Sequence, residues 1–248
     1  MKRIKFNQFF TRAIAAAMLL SAPLYLESCI AFEMIKPSGE IVLHERDAGE
    51  FTKVSVSSGF ELVLTQSDVK ELSIETYENI HDYIITEISG DQLRIRRREG
   101  VSFSGNPKVK IYLSANHIER ISSSGGGKIN LNSGWEADEL KVTLSGGGKL
   151  YGTINVNSLD INMSGGSESE LSGFAAHFVL SSSGGSRHRH FDLQTERGEV
   201  ALSGGARAEL NVSDTLEINA SGGSDIRYIG DPKVATKLSG GSRAGKFN

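Results

Sequence analysis

Apolar and polar residues alternate with a period of two along most of this chain, as they do in strands that bury one face. Leu140, Val142 and Leu144 alternate with Lys141 and Thr143; Leu159, Ile161 and Met163 alternate with Asp160 and Asn162; Leu216, Ile218 and Ala220 keep the same beat. These runs end on the tripeptide Ser-Gly-Gly, which recurs as Ser124, Gly125, Gly126; Ser145, Gly146, Gly147; Ser164, Gly165, Gly166; Ser183, Gly184, Gly185; Ser203, Gly204, Gly205; Ser221, Gly222, Gly223; and Ser239, Gly240, Gly241. Successive serines are 21, 19, 19, 20, 18 and 18 residues apart, so the tripeptide marks a structural repeat. A second apolar set resumes five and seven residues after the serine, at Ile129 and Leu131, Leu150, Leu171, Ala208 and Leu210, and Ile226. Each coil is therefore predicted to hold at least two short strands. A repeat this short has no room for a helix as well.

The predicted fold is all-β, a parallel β-helix or solenoid with coils of 18–21 residues stacked about 4.8 Å apart. The residue before each corner serine should point inward and the serine outward. Both glycines are expected to serve the corner, by adopting positive φ and by letting stacked backbones approach. The corner serines are expected to exchange hydroxyl hydrogen bonds up the stack. Before Ser124 the punctuation is sparser, but Val54 and Val56, Leu62 and Leu64, Leu72 and Ile74, Ile84 to Ile88, Leu93 and Ile95, and Val109, Ile111 and Leu113 read as strands. One domain is expected over residues 50–248, with irregular rungs over 50–121 and regular rungs over 122–248.

The first residues follow a different pattern. Lys2, Arg3, Lys5 and Arg12 lead into Ala13–Leu26, an uncharged stretch of signal-peptide length, and Cys29 follows soon after. The placement of the only cysteine is similar to that in a bacterial lipoprotein signal, although Glu27 stands where such signals carry a small uncharged residue. Residues 1–28 are thus expected to be a signal peptide and Cys29 an acylated N-terminus. Residues 29–49, with Pro37, Ser38 and Gly39, read as a tether between lipid and domain.

Composition narrows the chemistry. With 27 basic and 30 acidic side chains the formal net charge is −3, which leaves no overall basic footprint for nucleic acid. A single cysteine excludes an intrachain disulfide and a cysteine-based zinc site. Aromatic residues are 7% of the chain, with one tryptophan, which argues against an aromatic-lined sugar platform. No dinucleotide fingerprint or phosphate-cradling loop is present, and no cofactor is expected.

The segments "FTKVSVSSGFELVLTQSD", "DYIITEISGDQLRIRRREG" and "KVKIYLSANHIERISSSGGGKI", with the Ser-Gly-Gly coils after them, resemble the bacterial family called putative auto-transporter adhesin, head GIN domain. The resemblance covers about residues 50 to 248. It implies a parallel β-helix or roll and an exported protein that often carries a lipoprotein signal. It carries over no catalytic or binding residues.

Four features remain as candidate chemistry. His188 and His190 are two apart on a predicted strand and could chelate a metal, but Arg187 and Arg189 repel a cation and no third ligand follows from the spacing. A solvated basic turn is the expected reading. The run Arg94, Arg96, Arg97, Arg98 offers charge to an anionic lipid headgroup or an acidic polysaccharide, or is simply a solvated face. Glu168 and Glu170 form the best-placed acid pair for a lyase or hydrolase on this scaffold. The last coil, Leu238 to Asn248, carries Phe247 and no proline or helix to blunt the stack, so it should be covered by the terminal residues or self-associate. The expected function is a non-catalytic, lipid-anchored envelope module, adhesin-like or structural, that binds an envelope or host glycan or protein through an outer sheet. The alternative is a polysaccharide-active enzyme.

Overall fold

The computed structural model describes residues 33–247, so the leader and Cys29 lie outside the described residues. The chain opens with β1 (Glu33–Ile35), β2 (Ile41–Arg46), β3 (Lys53–Val56), β4 (Glu61–Gln66) and β5 (Glu71–Tyr77). A short 3-10 helix (Glu78–Tyr83) leads to β6 (Ile84–Ser89), β7 (Gln92–Arg97), β8 (Val101–Phe103), β9 (Lys110–Ala115) and β10 (Arg120–Ser123). Val54, Val56, Leu62, Leu64, Leu72, Ile74, Leu93, Ile95, Val109, Ile111 and Leu113 are all buried, as their alternation predicts.

Two expectations for this region need correction. The first rungs are not wholly parallel: β6 pairs β7 antiparallel, and so do β2 with β5 and β5 with β9. Only Gly90 and Asp91 separate β6 from β7, and a two-residue connection can return the chain only antiparallel. The expected tether is also built into the fold. β1 pairs β8 in parallel, and β2 pairs β5 over six residues. β2 has no alternation of buried and exposed positions, so periodicity does not reveal it; main-chain pairing holds it, with His44 stacked on His81 and Arg46 bonded to the His81 carbonyl.

The regular coils are β11 (Lys128–Leu144), β12 (Lys149–Gly165), β13 (Glu168–Gly184), β14 (Arg187–Gly204) and β15 (Arg207–Ala220), followed by β16 (Asp225–Ile229), β17 (Lys233–Leu238) and β18 (Arg243–Lys246). All pair in parallel with the coil before. Each coil from β11 to β15 is one long strand that bends, where two short strands are expected from the sequence. The bend often falls at a glycine: Gly173 has φ +103°, and a Cβ there would lie 2.1 Å from the carbonyl oxygen of Ile154. The inward side chains form one continuous core that runs from Ala48 to Ile226 and includes Trp135 and Phe178.

The Ser-Gly-Gly corners stack in register, with Ser183 between Ser164 and Ser203, and Gly184 between Gly165 and Gly204. In the corners at Ser124, Ser145 and Ser239 both glycines have positive φ, but in those at Ser164, Ser183, Ser203 and Ser221 only the first does. Gly184 has φ +92° and faces the Gly165 carbonyl oxygen, whereas Gly185 has no positive φ and open space where a Cβ would stand. Nor do the corner hydroxyls bond to one another among the described residues. Main-chain bonds hold the column, such as Gly205 N–H to the Gly184 carbonyl at 3.0 Å and Ser221 N–H to the Leu202 carbonyl at 3.0 Å. Where a hydroxyl does close the turn it belongs to the serine three residues on: Ser224 Oγ donates to the Ser221 carbonyl at 3.0 Å and Ser242 Oγ to that of Ser239 at 2.8 Å.

Candidate functional site

Strand alternation places His188 and His190 on the inner face of β14 and Arg187 and Arg189 on its outer face. The histidines are therefore not a solvated turn: both are buried, at 0% and 1% exposure. In the stacked columns His188 lies between Ser169 and Ala208, a slot that Ile129, Leu150 and Ile226 fill in other coils. Ser169 Oγ lies 2.7 Å from His188 Nδ1 and 2.9 Å from His190 Nε2. His188 Nε2 lies 3.1 Å from Ser186 Oγ, which is 2.5 Å from Ser182 Oγ.

One set of proton positions suits this chain best. His190 Nε2–H donates to Ser169, whose hydroxyl donates to His188 Nδ1. His188 Nε2–H then donates to Ser186, whose hydroxyl donates to Ser182. His190 Nδ1 is then a bare acceptor without a partner, and the Ser182 hydroxyl ends the series. Reversing the bonds about Ser169 would instead bury an unpaired N–H, which costs more. Burial pushes His188 down to about 4, and it holds His190 well below the usual imidazole range with help from the charge of His188. Both rings are neutral at pH 7, and the Ser169 hydroxyl is sealed from any substrate. Among the described residues no group of three His, Cys, Asp or Glu side chains could hold a metal.

The outer face is where charge gathers. One outward column reads Glu61, Lys128, Lys149, Glu168, Arg187, Arg207, Asp225, Arg243, one residue per coil. The column two residues on includes Tyr151, Glu170, Arg189, Glu209 and Arg227. At the earlier rungs each cation meets an acid: Lys128 lies 3.4 Å from Glu61, and Lys149 3.4 Å from Glu168. Arg189 bridges the acid pair, at 2.8 Å from Glu168 and 3.0 Å from Glu170. Burial works to raise the Glu168 pKa, but hydrogen bonds from Lys149 and Arg189 outweigh it and leave the carboxylate below its usual range. Held ionised in this way, Glu168 is not suited to the role of proton donor to a leaving group.

Further along the column the pairing stops. Among the described residues the guanidinium groups of Arg187, Arg207 and Arg243 make no ion pair, although Arg187 and Arg207 are direct neighbours on adjacent rungs. Arg227 turns to Asp225 at 3.6 Å. Together these side chains line a cleft of about 440 Å³ in which five arginines stand against Glu209 and Asp225. Sequence reasoning missed this site because its members are dispersed along the chain. Aligning the coils by their corner serines brings them together: Arg187, Arg207, Asp225 and Arg243 all stand four residues after one. A second depression, about 360 Å³ around Ser164 and Ser183, has no charged lining.

The contiguous arginine run is less available than its density suggests. Arg96 pairs with Glu87 at 3.1 Å and Arg98 with Glu33 at 3.4 Å. Arg97 lies over the Phe103 ring, and Arg98 also lies over Tyr83. Arg94 is exposed and bonds within its own strand to Gln92. At the far end Phe247 stacks on Phe191, yet all six residues of β17 are exposed. The described terminal residues, which run to Phe247, therefore leave β17 uncovered.

This is a β-solenoid with charged side chains in outward columns. The family described as "Putative auto-transporter adhesin, head GIN domain" matches residues 50–232, and the chain belongs to that family. A "putative adhesin" from Parabacteroides distasonis has the same fold, with TM-score 0.73 and 18% identity over 87% of this chain and 100% of that one. A "putative adhesin" from Bacteroides fragilis is 22% identical with TM-score 0.71, over 86% and 97% of the two chains. A "putative lipid binding protein" from P. distasonis reaches TM-score 0.71 at 19% identity, over 87% and 100%. No curated protein matches the chain.

Proposed function

We propose that the protein is an exported, non-catalytic interaction module of the cell envelope, anchored through acylated Cys29, that grips an acidic glycan along the outer column of Arg187, Arg207 and Arg243. The adhesin-type family supports the envelope location, and the leader-like segment before Cys29 supports the anchor. One observation carries the choice of ligand. This column neutralises its cations up to Glu168 and then places Arg187 beside Arg207 with no carboxylate partner. Like charges on adjacent rungs repel, and an anionic group of a polymer laid along the column would relieve that repulsion between Arg187 and Arg207. A linear polyanion also suits a face on which charges recur at each rung, about 4.8 Å apart.

The test uses the full chain carrying Cys29→Ser, with polygalacturonate and dextran sulfate as probes and neutral dextran as control. Both acidic polymers should bind, the neutral one should not, and salt should weaken binding through screening. Arg187→Ala with Arg207→Ala should weaken binding at least tenfold and flatten its salt dependence. Equal binding of neutral dextran, or full affinity in the double variant, would refute the assignment.

The uncovered C-terminal coil favours one addition. β17 and β18 form the open end of the stack, and Leu238 and Phe247 there are 42% and 46% exposed. Such an end can pair with the same end of a second copy. Light scattering should show a concentration-dependent dimer that Val234→Lys with Leu238→Lys dissociates. A monomer at all concentrations rules out this contact.

A further inference from the structure

Large exposed apolar side chains sit only at the two ends of the solenoid. Among the described residues they are Met34, Ile41, Leu43, Val69 and Ile88 in the first rungs, and Val234, Leu238 and Phe247 in the last. The flanks between them have none. Ile41 and Leu43 lie on β2, the first strand of one sheet column, and Ile88 on β6, the first of the other. Together these strands form the N-terminal end of the stack.

The position of β1 says what that end faces. Glu33 is fixed to the domain: its N–H donates to the Gly100 carbonyl at 2.8 Å, and its carboxylate meets Arg98 at 3.4 Å. Cys29 precedes Glu33 by only four residues. Four extended residues span at most about 14 Å. One column runs β2, β5, β9, β4, β11, β12, β13, β14, β15, β16, β18. Its ten strand spacings put the two ends about 48 Å apart. An acyl group on Cys29 therefore cannot leave the N-terminal end far from the bilayer.

We infer that the N-terminal rung is a membrane-resting surface: Ile41, Leu43 and Ile88 press into the bilayer interface beside the anchor, and the solenoid stands off the membrane with its arginine column toward the distal end. The inference rests on the acylation of Cys29 proposed above. Lying on a flank would press polar columns into the interface and leave these apolar side chains in water, so the upright pose buries more apolar area.

The experiment uses the full-length acylated protein in vesicles of phosphatidylethanolamine and phosphatidylglycerol that contain brominated acyl chains. Acylation consumes the natural thiol, so a cysteine introduced at position 43 or 235 takes a fluorescent label specifically. Bromine should quench the label at 43 several-fold more than the label at 235. Ile41→Glu with Ile88→Glu should lower quenching at 43 while the protein stays on the vesicles. Equal quenching at both positions, or more at 235, overturns the upright pose and leaves the anchor standing. If wild type and Cys29→Ser both float free of the vesicles, the anchor itself fails and the inference fails with it. Energy transfer between labels at 43, without bromine quenching, would assign that end to a second copy and overturn the inference.

Discussion

Gly184→Ala should destabilise the domain by about 3 to 4 kcal/mol, while Gly185→Ala, its immediate neighbour, should change stability by less than about 0.5 kcal/mol. At Gly184 two penalties add. A side chain held at φ +92° costs about 1 to 3 kcal/mol. Its Cβ would also meet the Gly165 carbonyl oxygen at 2.5 Å, and that oxygen is main chain in the rung below. Forcing the rungs apart adds a further 1 to 3 kcal/mol or so. Gly185 carries neither penalty. Thermal unfolding of the two variants beside wild type settles the matter: a drop of roughly 10 °C at position 184 is expected for a domain of this size. Equal tolerance at both positions would mean that the corner does not set the spacing of the coils.

Lowering the pH from 7 to 4 should cost about 3 kcal/mol of stability through His188 alone. The sign follows from which state takes up the proton. The unfolded chain protonates this imidazole as pH falls through its ordinary value of 6.5, whereas the folded protein resists until about 4. Protons therefore favour the unfolded state across that window, and stability is greatest above it. His190 and His81, both lowered chiefly by burial, act in the same direction. Nothing charged offsets the cost, because His188 and His190 are surrounded by Ser169, Ser186 and the Phe178 ring. Urea unfolding at pH 7.5 and pH 4.5 should show the loss in wild type and a much flatter profile in His188→Leu with His190→Leu. A wild-type protein equally stable at both pH values would sink this account.

The same histidines show how far the sequence could be read. His188 stands five residues after Ser183 and His190 seven, the offsets at which Ile129 and Leu131 follow Ser124. The repeat therefore marked both positions as inward, but the flanking arginines drew attention to the outside. The coils, the inward residue before each corner serine and the buried strands ahead of Ser124 were legible, because burying one face of a strand leaves a period of two. The strands at 33–35 and 41–46 were not, since main-chain pairing leaves no trace in side-chain type. Nor was the division of labour within the Gly-Gly pair, which depends on whether the rung below sets an oxygen against the missing Cβ. The arginine column was legible only once the coils had been aligned.

Because each regular coil bonds only to the coils above and below it, the molecule can change length only in whole units. Losing a single residue within β13 would slip inward side chains to the outer face and take Gly184 away from Gly165 and Gly204. Gaining or losing one complete segment of 18 to 21 residues would preserve every inter-strand register and alter the height by one rung of about 4.8 Å. Tandem duplication of such a segment is thus the genetic event that this architecture tolerates best, and homologues should differ in length by multiples of a coil.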